Sequence, residues 1–224
     1  MKSVKHIYVF LITASFLLIN QCGPAKKTQE LMKSAKEVIG IVPDKMPESD
    51  LDSADRIALG KKLYFEKGLS KDNSISCNSC HNLENNGNGT DNQQFSSGVK
   101  GKKGGRNAPT VWNAGFHIAQ FWDGRAADLA EQAKGPILNP VEMAMPDAKT
   151  VLKKIKGIKG YTEMFKNAFP KDKNPLTYDN LGIAIAAFER TLITHDRFDK
   201  FQAGDMNAFT KEEIDHISMN ISNL

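Results

Sequence analysis

Only three cysteines occur among the 224 residues, at positions 22, 77 and 80. A chain so poor in cysteine is no disulfide-stapled scaffold, so each thiol needs its own reason. Aromatic residues make up 8% of the chain, too few to dominate a core, while 17 glycines with many asparagines and lysines point to a loop-rich fold. No long apolar run follows residue 19, which excludes a multi-span helical membrane protein. Alternating strand patterns and internal repeats are both missing. The charge excess is small as well: it is +4 in total, and Lys2 and Lys5 lie in a segment that export would remove, leaving about +2. That is too weak to argue for a nucleic-acid partner. At 40% hydrophobic and 25% charged residues, the composition excludes wholesale disorder and fits a globular protein with a modest core.

What is present starts with an address. Lys2 and Lys5 precede the apolar run Ile7–Ile19, and Asn20-Gln21-Cys22-Gly23 follows. A basic start and a short apolar stretch read as an export signal over residues 1–21, too short for a comfortable membrane span. Cys22 at its end points to lipoprotein processing, in which the acylated thiol anchors the protein at a membrane surface in the periplasm. Asn20 and Gln21 are bulkier than the residues that usually precede a lipidated cysteine. An uncleaved anchor or simple cleavage nearby is the alternative.

Residues 22–45 are polar and lysine-rich, and read as a tether with one helical stretch. From Ser53 to Phe65 the pattern changes: Ser53 suits a helix cap, Ile57, Leu59, Leu63 and Tyr64 give an apolar face, and Gly68 ends the helix. Residues 82–107 have no hydrophobic period, and a loop of that length is functional or mobile. Further helices are expected at 126–133, at 147–156 with Asp147 as cap, at 162–168 and at 177–193. The last carries Leu181, Ile185, Phe188 and Leu192 and is the best core helix. The fold class is all-α with long loops.

Cys77-Asn78-Ser79-Cys80-His81 carries the chemistry. Two thiols at this spacing add across the two vinyl groups of a porphyrin, and the histidine that follows supplies the proximal nitrogen to the iron, so the motif predicts one covalent haem c. A thioredoxin-like reading gives His81 no reason and expects flanking strands. A zinc reading lacks a second cysteine pair. The sixth iron ligand decides between electron transfer and chemistry on an open iron, and His117, Met143, Met145, His195 and His216 are the candidates.

Four later segments add a resemblance: Gly104-Gly105-Arg106-Asn107-Ala108-Pro109-Thr110, Gln120-Phe121-Trp122-Asp123-Gly124-Arg125-Ala126, Glu131-Gln132-Ala133 and Asn139-Pro140-Val141-Glu142-Met143. In this order behind the haem motif, the chain resembles the N-terminal haem domain of bacterial dihaem cytochrome c peroxidases, the group that includes MauG-like proteins. The resemblance implies a cytochrome c-like haem domain over 46–205. It implies that Glu142 is the acid–base residue for peroxide, Gln132 a neutral donor beside it, Trp122 an electron relay and Asn107 a calcium ligand. Hydrogen peroxide is then the substrate, a small cytochrome or cupredoxin the electron donor, and a homodimer the assembly to test for. Arg125 and Asp123 are expected to form an internal ion pair at a turn.

Two departures qualify the resemblance. Some members close the resting haem with a loop histidine, and the matching position here is Val99, which predicts an open sixth site at rest. No second Cys-x-x-Cys-His occurs, and residues 206–224 resemble the start of the helix before a second haem, so a truncated second domain is expected there. A monohaem electron carrier and an inactive fragment are the alternatives to a peroxidase.

Overall fold

The computed structural model describes residues 23–84 and 87–221. The export signal and Cys22 lie outside the described residues. Within them the chain forms nine α-helices and no strand, only two isolated antiparallel bridges, Ser97 with Lys103 and Gln120 with Ala126. The all-α expectation holds.

Helix α1 spans Gly23–Ile39, α2 Ala54–Tyr64, α3 Cys77–Cys80, α4 Leu129–Leu138, α5 Ala148–Gly157, α6 Tyr161–Ala168, α7 Tyr178–Glu189, α8 Arg197–Gln202 and α9 Lys211–Ile221. The starts of α2, α4, α5 and α7 follow from capping side chains that accept otherwise unpaired N–H groups. Ser53 accepts from Arg56 N, Asp128 from Glu131 N, Asp147 from Thr150 N and Thr177 from Asn180 N. α2 ends at Tyr64, not at Gly68. Glu66 Oε1 accepts from Gly68 N at 2.7 Å and turns the chain before the glycine can act as a stop. α4 lies a few residues later than expected, because the first-turn cap is Asp128 and Pro136 is carried in its last turn.

The described residues divide into two compact units, 43–194 and 23–42 together with 195–221. In the larger, α7 is the central helix, with every residue from Leu181 to Glu189 buried except Ile183. Two glycines set its neighbours. Gly60 of α2 lies so close to α7 that a Cβ would sit 1.7 Å from Ala184 O, and Gly182 faces Ala130 O of α4 at 2.6 Å by the same measure. Glycine permits a backbone approach that no other residue allows. Around α7 the main core gathers Leu59, Leu63, Tyr64, Ile137, Met143, Ile155, Phe165, Leu181 and Ile185.

The segment 82–107 is not structureless where it is described. Thr110 Oγ1 donates to Asn88 O at 2.6 Å, Thr90 Oγ1 to Ala108 O at 2.8 Å and Trp112 Nε1 to Gly87 O at 3.2 Å, so side chains replace the missing ladder. In the smaller unit, α1 buries Leu31, Met32 and Ala35 against Phe201, Ile214 and Ile221. The expected tether is thus mostly a packed 17-residue helix. Residues 195–205 group with α1 and α9, where Phe198, Phe201 and Phe209 form one ring cluster.

Candidate functional site

The motif Cys77–His81 makes one helical turn. Ser76 N donates to Ser79 Oγ at 3.0 Å, and His81 N closes the turn on Cys77 O at 2.9 Å. Cys77 and Cys80 are both free thiols, although so close in sequence. Burial pushes the Cys77 thiol well up, and pushes Cys80 up to about 11, with the Asp91 and Glu142 carboxylates adding to it. Burial thus favours the neutral thiol over the thiolate at both positions. Among the described residues no group of three or more His, Cys, Asp or Glu side chains is placed to hold a metal ion.

His81 is held from both sides. Its Nδ1 lies 2.9 Å from Pro109 O, and its own carbonyl accepts from the Tyr64 hydroxyl at 2.6 Å. A carbonyl only accepts, so Nδ1 carries the proton and Nε2 is left with a lone pair. Burial lowers the ring's pKa further, favouring this neutral form.

Cys77, Cys80 and His81 line a cavity of about 410 Å³. Gln132, Glu142, Trp122 and Asn107 line it too, so the residues that the resemblance implies for the site share one cavity with the motif. Apolar walls from Ile75, Val111, Leu129, Ala133 and Met143 complete it. Two unpaired thiols, an oriented imidazole and an apolar lining in one cavity suit a covalently attached haem.

Glu142 sits in the turn after α4, its Oε1 accepting from Asn139 Nδ2 at 2.6 Å. Burial raises its pKa, against the pull of the Arg125 cation and the Asn139 hydrogen bond. The 98–101 loop packs on the same turn: Val99 N donates to Glu142 O at 2.8 Å, and a Cβ on Gly98 would meet Val141 O at 2.1 Å. Val99 itself is buried. Gln132 lies on α4 where Pro136 has no N–H to give to its carbonyl.

Trp122 is 61% exposed and not a core residue, and its Nε1 donates to Asn107 O at 3.1 Å. Asn107 is exposed. Arg125 Nη1 reaches both carboxylate oxygens of Asp123, at 2.8 and 2.9 Å, and Arg106 joins at 3.2 Å. The ion pair expected at this turn exists, but at the surface rather than inside. Of the sixth-ligand candidates, Met143 lines the cavity, His117 lines the neighbouring cleft with Trp122, Met145 is in the core, and His195 and His216 belong to the other unit.

Three further residues shape the site. Tyr64 reads in the sequence only as part of a helix face, and nothing there marks the Pro109 carbonyl as the partner of His81. Glu189 lines the cavity at 6% exposure, with Oε2 lacking any hydrogen-bond partner. Its signal was legible: a carboxylate at the end of the apolar run Leu181–Phe188.

Comparison with known proteins gives consistent matches. A family model described as di-haem cytochrome c peroxidase matches residues 54–207. The cytochrome c551 peroxidase of Pseudomonas aeruginosa is 40% identical over 206 residues, covering 91% of this chain and 59% of that protein. That of Nitrosomonas europaea is 48% identical over 165 residues, covering 73% and 48%. A solved structure of a MauG-like protein associated with microbial copper homeostasis superposes with a TM-score of 0.68 at 29% identity, covering 77% of this chain and 50% of that one. The chain spans about half the length of the curated relatives it matches. By the extent of the family match, the chain belongs to the di-haem cytochrome c peroxidase family.

Proposed function

We propose that this member of the di-haem cytochrome c peroxidase family holds one haem c through Cys77, Cys80 and His81 and reduces hydrogen peroxide to water with electrons from an external donor. The observation that carries the reading is the convergence of the haem motif with Gln132 and Glu142 on one cavity. A bound haem would supply the electrons and the iron site at which the O–O bond breaks.

The rest is work for the chain's own groups. The pair of thiols anchors the cofactor, and the Pro109 carbonyl keeps His81 in the tautomer that presents Nε2. Glu142 takes a proton from one peroxide oxygen and returns it to the other, so that water can leave. Asn139 fixes the carboxyl's orientation, while burial keeps its proton affinity above that of a free carboxylate. Gln132 donates from its amide without competing for the proton. Trp122, exposed at the cavity edge, is the entry point for electrons from a small cytochrome or cupredoxin. Export, a lipid anchor on Cys22 and a periplasmic location belong to the same reading, as do calcium at Asn107 and a homodimer.

The test is Glu142→Gln in the haem-loaded protein. A general acid–base contributes about 10²–10⁴-fold, so the reaction with peroxide should slow by about a hundredfold or more with the haem still attached. A variant that reacts as fast as the parent removes Glu142 from the mechanism. Met143 in the cavity wall favours a second reading, a monohaem electron carrier with a filled sixth site. A low-spin absorption spectrum that peroxide leaves unchanged would establish that reading instead.

A further inference from the structure

Glu189 has no part in the peroxide chemistry, yet it is built into the cavity. It closes α7, lines the same space as Cys77, Cys80 and His81, and is 6% exposed. Its Oε2 is buried without a hydrogen-bond partner. A lone carboxylate in such a place costs several kcal/mol unless it is compensated or protonated.

The obvious compensating charge points elsewhere. Arg190, the next residue, donates to Asp52 at 2.6 and 2.9 Å and to Glu48 at 3.2 Å, so two carboxylates already occupy its guanidinium. Asp128 at the start of α4 acts on Arg190 as well. From α2, Tyr64 faces Glu189 but gives its hydroxyl to His81 O, and burial keeps its phenol neutral. From α3, the Cys77 thiol faces it and is also neutral, and in a haem-bearing chain both thiols are thioethers that do not titrate. Burial, partly opposed by Arg190, raises the carboxyl's own pKa to about 8, so its proton occupancy is adjustable near neutrality.

An electron entering a buried redox group adds one negative charge to a region of low dielectric, where a proton that follows it cancels the cost. We propose that Glu189 is the proton acceptor coupled to electron entry at this site. One electron arrives from the donor, one proton arrives from solvent on the Glu189 carboxylate, and both depart when the site is reoxidised. The inference rests on the haem reading above, but not on the reaction with peroxide.

The test measures the midpoint potential of the haem-loaded protein by spectroelectrochemistry between about pH 6 and about pH 9. The parent's potential should be level at the acid end, where Glu189 already holds its proton, and fall as pH rises past the carboxyl's titration, with a limiting slope of about 59 mV per pH unit, the one-electron equivalent of a tenfold change in equilibrium constant. Glu189→Gln, a neutral isostere, should flatten the profile and leave the potential above the parent's at the alkaline end. A variant that keeps the parent's slope, or a parent with no slope, overturns the proposal. Should Glu189→Gln lose its haem, redox-difference infrared spectra of the parent decide: a carboxylic C=O band gained on reduction supports the proposal, and its absence refutes it. A parent that shows the slope but ignores peroxide sinks the peroxidase reading alone, whereas a parent without covalent haem sinks both.

Discussion

Gly60→Ala tests the packing on which the whole site depends. Alanine is the better helix former by about 1 kcal/mol, so on an exposed helix face the change would stabilise. At Gly60 the added Cβ would lie 1.7 Å from Ala184 O, 2.6 Å from Ala184 C and 3.0 Å from Phe188 Cβ. The first two are backbone atoms of α7, which no rotamer change can move. The helices must therefore part by more than an ångström, loosening Leu59, Leu63 and Tyr64, all fully buried on the same contact. Overpacking of this kind costs about 1–3 kcal/mol, and a backbone clash puts it at the upper end. With the helix gain set against it, a net loss of about 2 kcal/mol is expected. For a domain of 150–250 residues that is about 4–8 °C in Tm. Gly157→Ala is the control of opposite sign, because that glycine in α5 has nothing within 4 Å of a new Cβ. Thermal unfolding followed by circular dichroism should show the first variant less stable than the parent and the second equal or better. A Gly60→Ala protein as stable as the parent would refute the close approach of α2 and α7.

Two further changes probe the charges around the site. Arg190→Met removes the nearer of two cations on Asp52, whose side chain is only 2% exposed, and leaves it Arg56 at 3.6 Å, so the loss in urea unfolding should approach the lower end of the about 3–5 kcal/mol that a wholly unpaired buried charge costs; a loss below about 1 kcal/mol would mean the pair is not buried in solution. Burial pushes the Glu189 carboxyl up to about 8 from an ordinary 4.5, against the pull of Arg190. The folded state then binds the extra proton, so stability from this group is full below about pH 4.5 and is lost as pH rises through about 8. Urea midpoints measured at about pH 5 and about pH 8 should differ less for Glu189→Gln than for the parent; equal differences would show that the carboxyl is not held neutral by burial.

Much of this protein could be read before any fold was known, and the reason is locality. A helical cap needs a side-chain oxygen within three residues of the N–H it accepts from, so Ser53 and Asp147 announce their helices in the sequence. The Cys-x-x-Cys-His motif is equally local, because Cys77, Cys80 and His81 lie within one turn. The place of Glu142 and Gln132 on the cavity is suggested only by the resemblance, since nothing in their own sequence neighbourhoods separates them from surface residues. Helix ends were misjudged where a side chain outcompeted a stronger-looking signal, as Glu66 did at Gly68.

The sequence by itself determined the helical class, the covalent haem motif and the family to which the chain belongs. Tertiary structure alone decided which distant groups share the cavity. It brought Pro109 O to His81, set Trp122 at the surface rather than in the core, and trapped Glu189 without a hydrogen-bond partner for Oε2 while its neighbour Arg190 turned to Asp52. The physical reason is that burial and charge pairing are properties of three-dimensional surroundings. A carboxylate's proton affinity depends on what excludes water from it and which cations face it, and residues far apart in the chain supply both.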